Sequence, residues 1–261
     1  MECKTPCLLE ICIDSFVSAE AAILGGCDRL EVCSALAVGG LSPTIGFVKQ
    51  IVQLKKKLSA KTDIFVMIRP RVGDFVYSHE EFGCMIDDIS AFKSIEGVDG
   101  FVFGFLNEDF SLDLEKCQQF STACKPKSLT FHRAFDCLLA THSLDYAYKA
   151  ISELEQFGVS RILTSGGNLS AYDGRNTIKA LIDYVKNEAL QMKIMPGSGV
   201  SASNAKDIVF ATGCTEIHSS CKMSGKPIDT SNPTAKLISS FGLPLITSSE
   251  NVSALLSSLN E

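Results

Sequence analysis

Eight short apolar segments of strand length recur along the chain and alternate with segments of helical pattern. Their spacing of about 20–40 residues suits βα units, in which helical crossovers join parallel strands. Because there are eight units and no dinucleotide-binding fingerprint, an α/β fold with a single (β/α)8 TIM-type barrel is favoured over an open doubly wound sheet. The strand segments span residues 8–14, 28–34, 63–69, 98–104, 128–136, 160–166, 192–199 and 215–220.

The length of 261 residues is about that of one such barrel, so residues 1–261 are predicted to form one domain. Residues 221–249 are rich in Ser, Thr, Lys and Pro and are expected to form an exposed loop or insertion. The segment SSENVSALLSSL that follows is expected to be a final helix closing the barrel. Asp113 is a plausible N-cap of the helix LEKCQQFSTAC.

Composition excludes several classes of function. The net charge of -6 and a pI near 5.3 argue against non-specific nucleic-acid binding. No stretch reaches the roughly 18 apolar residues of a membrane span, and the first residues lack a signal-peptide pattern. Eleven cysteines without a CxxC pair indicate reduced thiols in a cytoplasmic protein and make a structural zinc site improbable.

Alternation along the first, second and fifth strand segments puts polar and charged side chains on one face. The apolar face suits the helices, so the polar face is predicted to point into the barrel. Since unpaired buried charges are costly, Glu10 and Glu31 are expected to have cationic partners. The candidate partners are Arg29, Arg69 and His132. A structural ion-pair network that only fills the barrel is the alternative interpretation. The predicted inward set comprises Glu10, Cys12, Asp14, Arg29, Glu31, Cys33, Thr130 and His132.

The C-terminal ends of barrel strands converge on one pocket, where such folds place their chemistry. His132 is a candidate general acid or base, and Asp136 could orient either it or Arg133. Paired carboxylates, guanidinium groups and an imidazole are the groups that acid–base catalysis uses. The candidate catalytic residues are Glu10, Arg29, Glu31, Arg69, His132 and Asp136.

A second set of residues suggests anion binding. Arg69 and Arg71 flank Pro70, and guanidinium forks suit carboxylate or phosphate groups. The glycine turns TSGG and PGSGV follow strands six and seven, where backbone amides often receive a phosphate. Tight turns without a ligand are the alternative. The candidate anion-binding residues are Arg71, Asp74, Ser165, Gly166, Gly197, Gly199, His218 and Ser219.

Cys12 and Cys33 lie on neighbouring strands, each on the inward face. Two such thiolates suit a soft metal of low coordination number such as Cu(I). Two inert buried cysteines are the alternative, because free cysteine is a common core residue.

The motifs together resemble the CutC family of copper-homeostasis proteins over about residues 8–220, with FHRAFD and IRPRVGDF the most specific. The resemblance implies a TIM-like barrel, a cytoplasmic location, a homo-oligomer (dimer or tetramer) and a role in copper handling. It also implies that Cys12 and Cys33 match the cysteines implicated in Cu(I) binding, whereas Ser198 stands where the family usually has glycine. The matching segments are residues 9–15, 25–46, 66–78, 99–104, 129–136, 161–167, 195–200 and 216–220.

Two hypotheses of function follow. In the first, the chain binds Cu(I) in the cytoplasm for buffering or trafficking. In the second, it is an enzyme that acts by acid–base chemistry on a small anionic or phosphorylated metabolite. A purely structural interaction module would leave the inward arginines and glutamates unexplained.

Overall fold

The computed structural model describes residues 7–223, 234, 237 and 246–260. Eight parallel strands form a nearly closed barrel, which confirms the predicted (β/α)8 fold. Ladders of hydrogen bonds run from β7 through β6, β5, β4, β3, β2 and β1 to β8. The strands are β1 (Leu8–Ile13), β2 (Arg29–Val32), β3 (Asp63–Met67), β4 (Gly100–Phe103), β5 (Ser128–Phe131), β6 (Arg161–Thr164), β7 (Lys193–Pro196) and β8 (Glu216–Ser219).

The remaining seam lies between β7 and β8, which are adjacent without a ladder among the described residues. A Cβ added to Gly197 would lie only 3.3 Å from the Cβ of His218. The nearest atom to that Cβ would be Cδ1 of Leu163 at 2.4 Å, so the absence of a side chain at residue 197 leaves room for Leu163 and His218.

Nine described helices accompany the strands. Serine or threonine caps begin several of them: the hydroxyl of Ser15 accepts from the Ser18 amide, and that of Thr44 from the Phe47 amide. The predicted cap at Asp113 is confirmed, since its carboxylate accepts from the Lys116 amide at 3.0 Å. The helices are α1 (Phe16–Leu24), α2 (Ile45–Lys57), α3 (His79–Lys93), α4 (Leu114–Cys124), α5 (Ala134–Thr141), α6 (Leu144–Gln156), α7 (Arg175–Asn187), α8 (Ala205–Thr212) and α9 (Ser249–Asn260).

The structure differs from the sequence prediction at two helices. Helix α3 begins at His79, inside the predicted loop, because Ser78 and Glu81 form a capping box there. Helix α5 was not expected, since the segment FHRAFD was assigned wholly to the fifth strand. The strand ends at Phe131, and Asp136 therefore lies in the first turn of a helix.

Side-chain alternation sorts the core into two layers. Leu9, Ile11 and Ile13 are fully buried between the barrel and its helices, as predicted. A smaller cluster that includes Phe65 and Met67 fills the barrel itself. The polar side chains of the same strands share this interior.

The end of the chain returns to the barrel wall. Strands β9 (Lys222–Met223) and β10 (Ile246–Thr247) form an antiparallel ribbon, and most of the predicted loop between them lies outside the described residues. The predicted final helix, α9, packs on α1, where Val252 occupies the space that a side chain at Gly25 would need. None of the helices described has the length and apolar character needed to cross a membrane.

Replacement of Gly100 by Ala is expected to destabilise the barrel. The new Cβ would lie 2.4 Å from Cε2 of Phe65, a ring whose centroid lies 4.8 and 4.9 Å from the Cζ atoms of Arg29 and Arg161. We expect the free energy of unfolding in urea to fall by about 1–3 kcal/mol.

Gly83→Ala is the matched control, because this helical glycine has open space within 4 Å of the added Cβ. It should leave stability unchanged or raise it by up to about 1 kcal/mol. Equal unfolding midpoints for the two variants would contradict the packing described for Phe65.

Candidate functional site

A cavity of about 800 Å³ opens at the C-terminal ends of the strands. Half of the sequence-predicted site residues line it. Those lining the cavity are Cys12, Glu31, Arg69, His132, Asp136, Gly199, His218 and Ser219. Those outside the lining are Glu10, Arg29, Cys33, Arg71, Asp74, Ser165, Gly166 and Gly197. Lining residues that sequence reasoning did not select include Phe75, Arg133, Asn168 and Lys222.

A buried ion-pair network fills the barrel below the cavity. Arg29 donates to Glu10 at 3.1 Å and to Glu216 at 2.9 Å, and Arg161 donates to Glu216 at 3.0 Å. The expected pairing of Glu10 with Arg29 is therefore present. It belongs to an ion-pair network inside the barrel, as in the alternative interpretation of the sequence. Arg161 and Glu216 were missed, although alternation in strands six and eight would have placed both inside.

Glu10 links this network to the cavity. Its second oxygen lies 2.7 Å from Nδ1 of His218. Burial opposes the carboxylate, but the hydrogen bond from His218 and the charges of His218, Arg29 and Arg161 lower the pKa of Glu10 to about 2. Burial also opposes a charged His218, yet Cys12, Glu10 and Glu31 raise its pKa well above the usual value. These neighbours favour the protonated form of His218.

Glu31 has a different environment from Glu10. Burial raises the pKa of Glu31 to about 7; the charge of His218, at 3.9 Å, lowers it in part, and the charge of Glu10 raises it. Its Oε2 accepts from the Cys33 thiol at 3.6 Å, and its buried Oε1 has no partner in the described part of the chain. No arginine pairs with it among these residues, contrary to expectation, because Arg29 is already taken by Glu10 and Glu216.

Three potential metal ligands meet at the wall formed by β8, β1 and β2. The ligand atoms of Cys12, Glu31 and His218 all lie within 4.8 Å of one another. Cys33 is not a member of this group. Its thiol donates a hydrogen bond to Glu31, and burial and the charge of Glu31 raise its pKa. A sulfur and an imidazole are ligands that copper accepts in proteins.

His132 is held in one tautomer by its surroundings. Its Nδ1 accepts from the Ala134 amide at 3.1 Å, so the proton of the neutral ring is on Nε2. Burial, followed by the charges of Arg69 and Arg133, lowers the pKa of His132 to about 3. The neutral ring is therefore a fixed hydrogen-bond donor in the cavity wall, whereas the sequence suggested a general acid or base.

Asp136 organises the turn after β6 and does not orient His132. Its carboxylate accepts from the Thr164 hydroxyl at 2.5 Å and from the amides of Ser165 and Gly167 at 2.9 and 3.1 Å. It also pairs with Arg133 at 2.8 Å. The amides that were predicted to receive an anion are therefore already bonded to a side chain of the protein.

The turn after β7 is more open. The Gly197 amide donates to the Thr164 carbonyl, while the amides of Ser198 and Gly199 have no acceptor among the described residues. Ser198 adopts a φ of 80°, a conformation that favours glycine. Its hydroxyl donates to the Leu169 carbonyl at 2.8 Å, which helps to hold the turn.

Arg69 and Arg71 have separate environments. Arg69 donates to the carbonyls of Val38, Gly40 and Gly73 and has no carboxylate partner in the described chain. Arg71 lies away from the cavity, because the carboxylates of Asp74 and Glu81 bind its guanidinium group. The structure thus does not bring the two arginines together as one clamp.

Protonation of His132 is expected to limit stability in acid. The unfolded chain takes up this proton near pH 6.5, while the native ring resists it until about pH 3. Stability is therefore lost as pH falls through this window, by up to about 1.4 kcal/mol per pH unit. His132→Gln should show a shallower loss in thermal unfolding. A ring ¹⁵N spectrum of the native protein should show only the Nε2–H tautomer near pH 6; an imidazolium there would contradict this assignment.

Glu31 is expected to have the opposite effect. The native state keeps its proton up to about pH 7, while the unfolded chain loses it near 4.5, so stability falls as pH rises between these values. Glu31→Gln should therefore raise Tm relative to wild type more at pH 8 than at pH 5, by a few degrees. Glu96→Gln, at an exposed surface pair with Lys56, is the control and should show no such difference. A pH-independent effect of Glu31→Gln would refute the raised pKa.

Comparisons with known proteins agree with the fold and the motifs. A human protein named copper homeostasis protein cutC homolog is 42% identical over 215 residues, which cover 82% of this chain and 73% of the human protein. A family protein CutC of Aliivibrio fischeri is 40% identical over 216 residues, covering 82% of this chain and 81% of the relative.

Solved structures show the same likeness. A CutC structure from Streptococcus agalactiae has a TM-score of 0.74 at 32% identity, covering 82% of this chain and 98% of that one. Thiamine phosphate pyrophosphorylase from Pyrococcus furiosus, at 15% identity and a TM-score of 0.56, shares the fold alone. The family model for the CutC family matches residues 7–223, and the chain therefore belongs to the CutC family.

Proposed function

We propose that this chain serves copper homeostasis by binding Cu(I) in the cytoplasm, for buffering or trafficking. The observation that carries the proposal is the cluster of Cys12, Glu31 and His218, whose ligand atoms lie within 4.8 Å of one another in a buried wall of the cavity. The names of the relatives, copper homeostasis proteins, support the same role.

The chemistry of the cluster suits a soft cation. A cysteine sulfur and an imidazole nitrogen are preferred by Cu(I), whereas a single carboxylate is a poor site for it. Cys12 and His218 are therefore the proposed ligands, and Glu31 is the neighbouring negative charge. Cys33, whose thiol donates a hydrogen bond to Glu31 at 3.6 Å, lies beside the cluster as a second sulfur.

Cu(I) binding should depend on Cys12 and His218 and not on an exposed cysteine elsewhere. In an anaerobic competition titration against a calibrated chelator, Cys12→Ser and His218→Gln should each weaken binding by at least about tenfold. Cys84→Ser is the matched control, because Cys84 is an exposed thiol on α3, and it should bind as wild type does.

Cys33→Ser separates two ligand sets. An unchanged affinity supports Cys12 and His218, whereas a loss as large as that of Cys12→Ser, with His218→Gln unaffected, identifies the thiol pair. Binding that survives in both Cys12→Ser and the Cys12→Ser/Cys33→Ser double variant would refute a specific copper site.

A second candidate function is acid–base catalysis on a small anionic metabolite. Glu31 favours it, because a carboxyl group with a pKa of about 7 in a cavity of about 800 Å³ can both give and take a proton at neutral pH.

The family resemblance further supports a homo-oligomer, a dimer or tetramer, which light scattering would test.

A further inference from the structure

Arg69 is a buried cation without a counter-ion among the described residues. Its side chain is 5% exposed, and its guanidinium group donates to the carbonyls of Val38, Gly40 and Gly73, with the Tyr77 side chain also beside it. Its Nε has no acceptor in that part of the chain. Carbonyl oxygens satisfy hydrogen bonds but do not neutralise a charge, and an unneutralised buried charge is unfavourable. An anion beside Arg69 would remove this cost.

His132 contributes a second unsatisfied donor to the same region. The ring is 4% exposed and lines the cavity, and its protonated Nε2 has no partner among the residues described. The ring position is tightly set, since a Cβ at Gly104 would lie 2.3 Å from its Cε1. A donor fixed in this way needs no reorganisation when it meets an oxygen atom.

Phe75 joins the two groups into one wall. Its ring lies 4.8 Å from the His132 ring and 5.1 Å from Cζ of Arg69, and it lines the cavity. The wall is thus an aromatic surface with a cation and a neutral N–H donor beside it. Leu36 and Val38 extend the apolar lining of the cavity.

We propose that this wall binds the carboxylate group of a small organic acid. The carboxylate would lie beside Phe75 and accept hydrogen bonds from His132 and Arg69, each of which has one N–H group without a partner among the described residues. A phosphate group would leave further oxygens without donors at this wall. The apolar lining suits a short hydrocarbon chain, and the proposal requires neither copper binding nor catalysis.

Titration of the copper-free, full-length protein with acetate, butyrate and succinate tests this inference. At least one acid should bind saturably with a Kd of about 1 mM or tighter, measured by calorimetry or ligand-observed NMR. Arg69→Met should weaken binding by at least about tenfold, or about 1.4 kcal/mol. Arg71→Met is the control and should bind as wild type does, because its guanidinium group is ion-paired outside the cavity.

The His132 variants keep the test decisive if Arg69→Met does not fold, since Arg69 also ties two loops together. His132→Phe should lose binding, whereas His132→Gln, which retains an N–H donor, should preserve part of it. The proposal is overturned if no acid binds, or if binding persists in His132→Phe. Equal affinity for butyramide and butyrate would also overturn it, because the amide carries no negative charge. So would tighter binding of inorganic phosphate than of any of the acids, if that phosphate binding is lost only in Lys222→Met.

Discussion

Charge pairing inside the barrel is the constraint on which the site depends. Glu10 is shared between Arg29 and His218, and Glu216 is shared between Arg29 and Arg161. Each of these groups would be costly alone in the interior, and together they form a compact network around the ring of Phe65. Because Arg29 is paired with Glu10 and Glu216, it does not pair with Glu31. Glu31 consequently has no arginine partner among the described residues, although Nε2 of His218 lies 3.9 Å from its Oε2, and burial raises its pKa to about 7.

The cavity above this network has two chemically different walls. The wall from β8, β1 and β2 carries a sulfur, a carboxyl group and an imidazole, which are ligands for a metal. The wall after β3 and β5 carries Arg69 and the N–H donor of His132, which repel cations and favour anions. The same cavity therefore combines potential metal ligands from β8, β1 and β2 with hydrogen-bond donors that follow β3 and β5.

The FHRAFD motif shows why residue type alone did not assign roles. His132 and Asp136 look like an acid–base pair, but a helix begins between them and directs Asp136 to the turn after β6. There it binds the amides that a glycine-rich turn normally offers to a ligand. Backbone donors are available to an anion only if no side chain of the protein has taken them, and that competition is set by residues about 30 positions apart.

The sequence by itself determined the barrel, because strand-length apolar segments alternating with helices allow few other arrangements, and the alternation in β1 and β2 placed Glu10, Cys12 and Glu31 inside. It also determined the family, through motifs that run in order along the chain. Only the tertiary structure decided which inward groups pair, because pairing depends on distances between strands far apart in sequence. It therefore decided that Arg29 stabilises the barrel, that Arg71 binds its own loop, that His132 is a neutral donor, and that His218 joins Cys12 and Glu31.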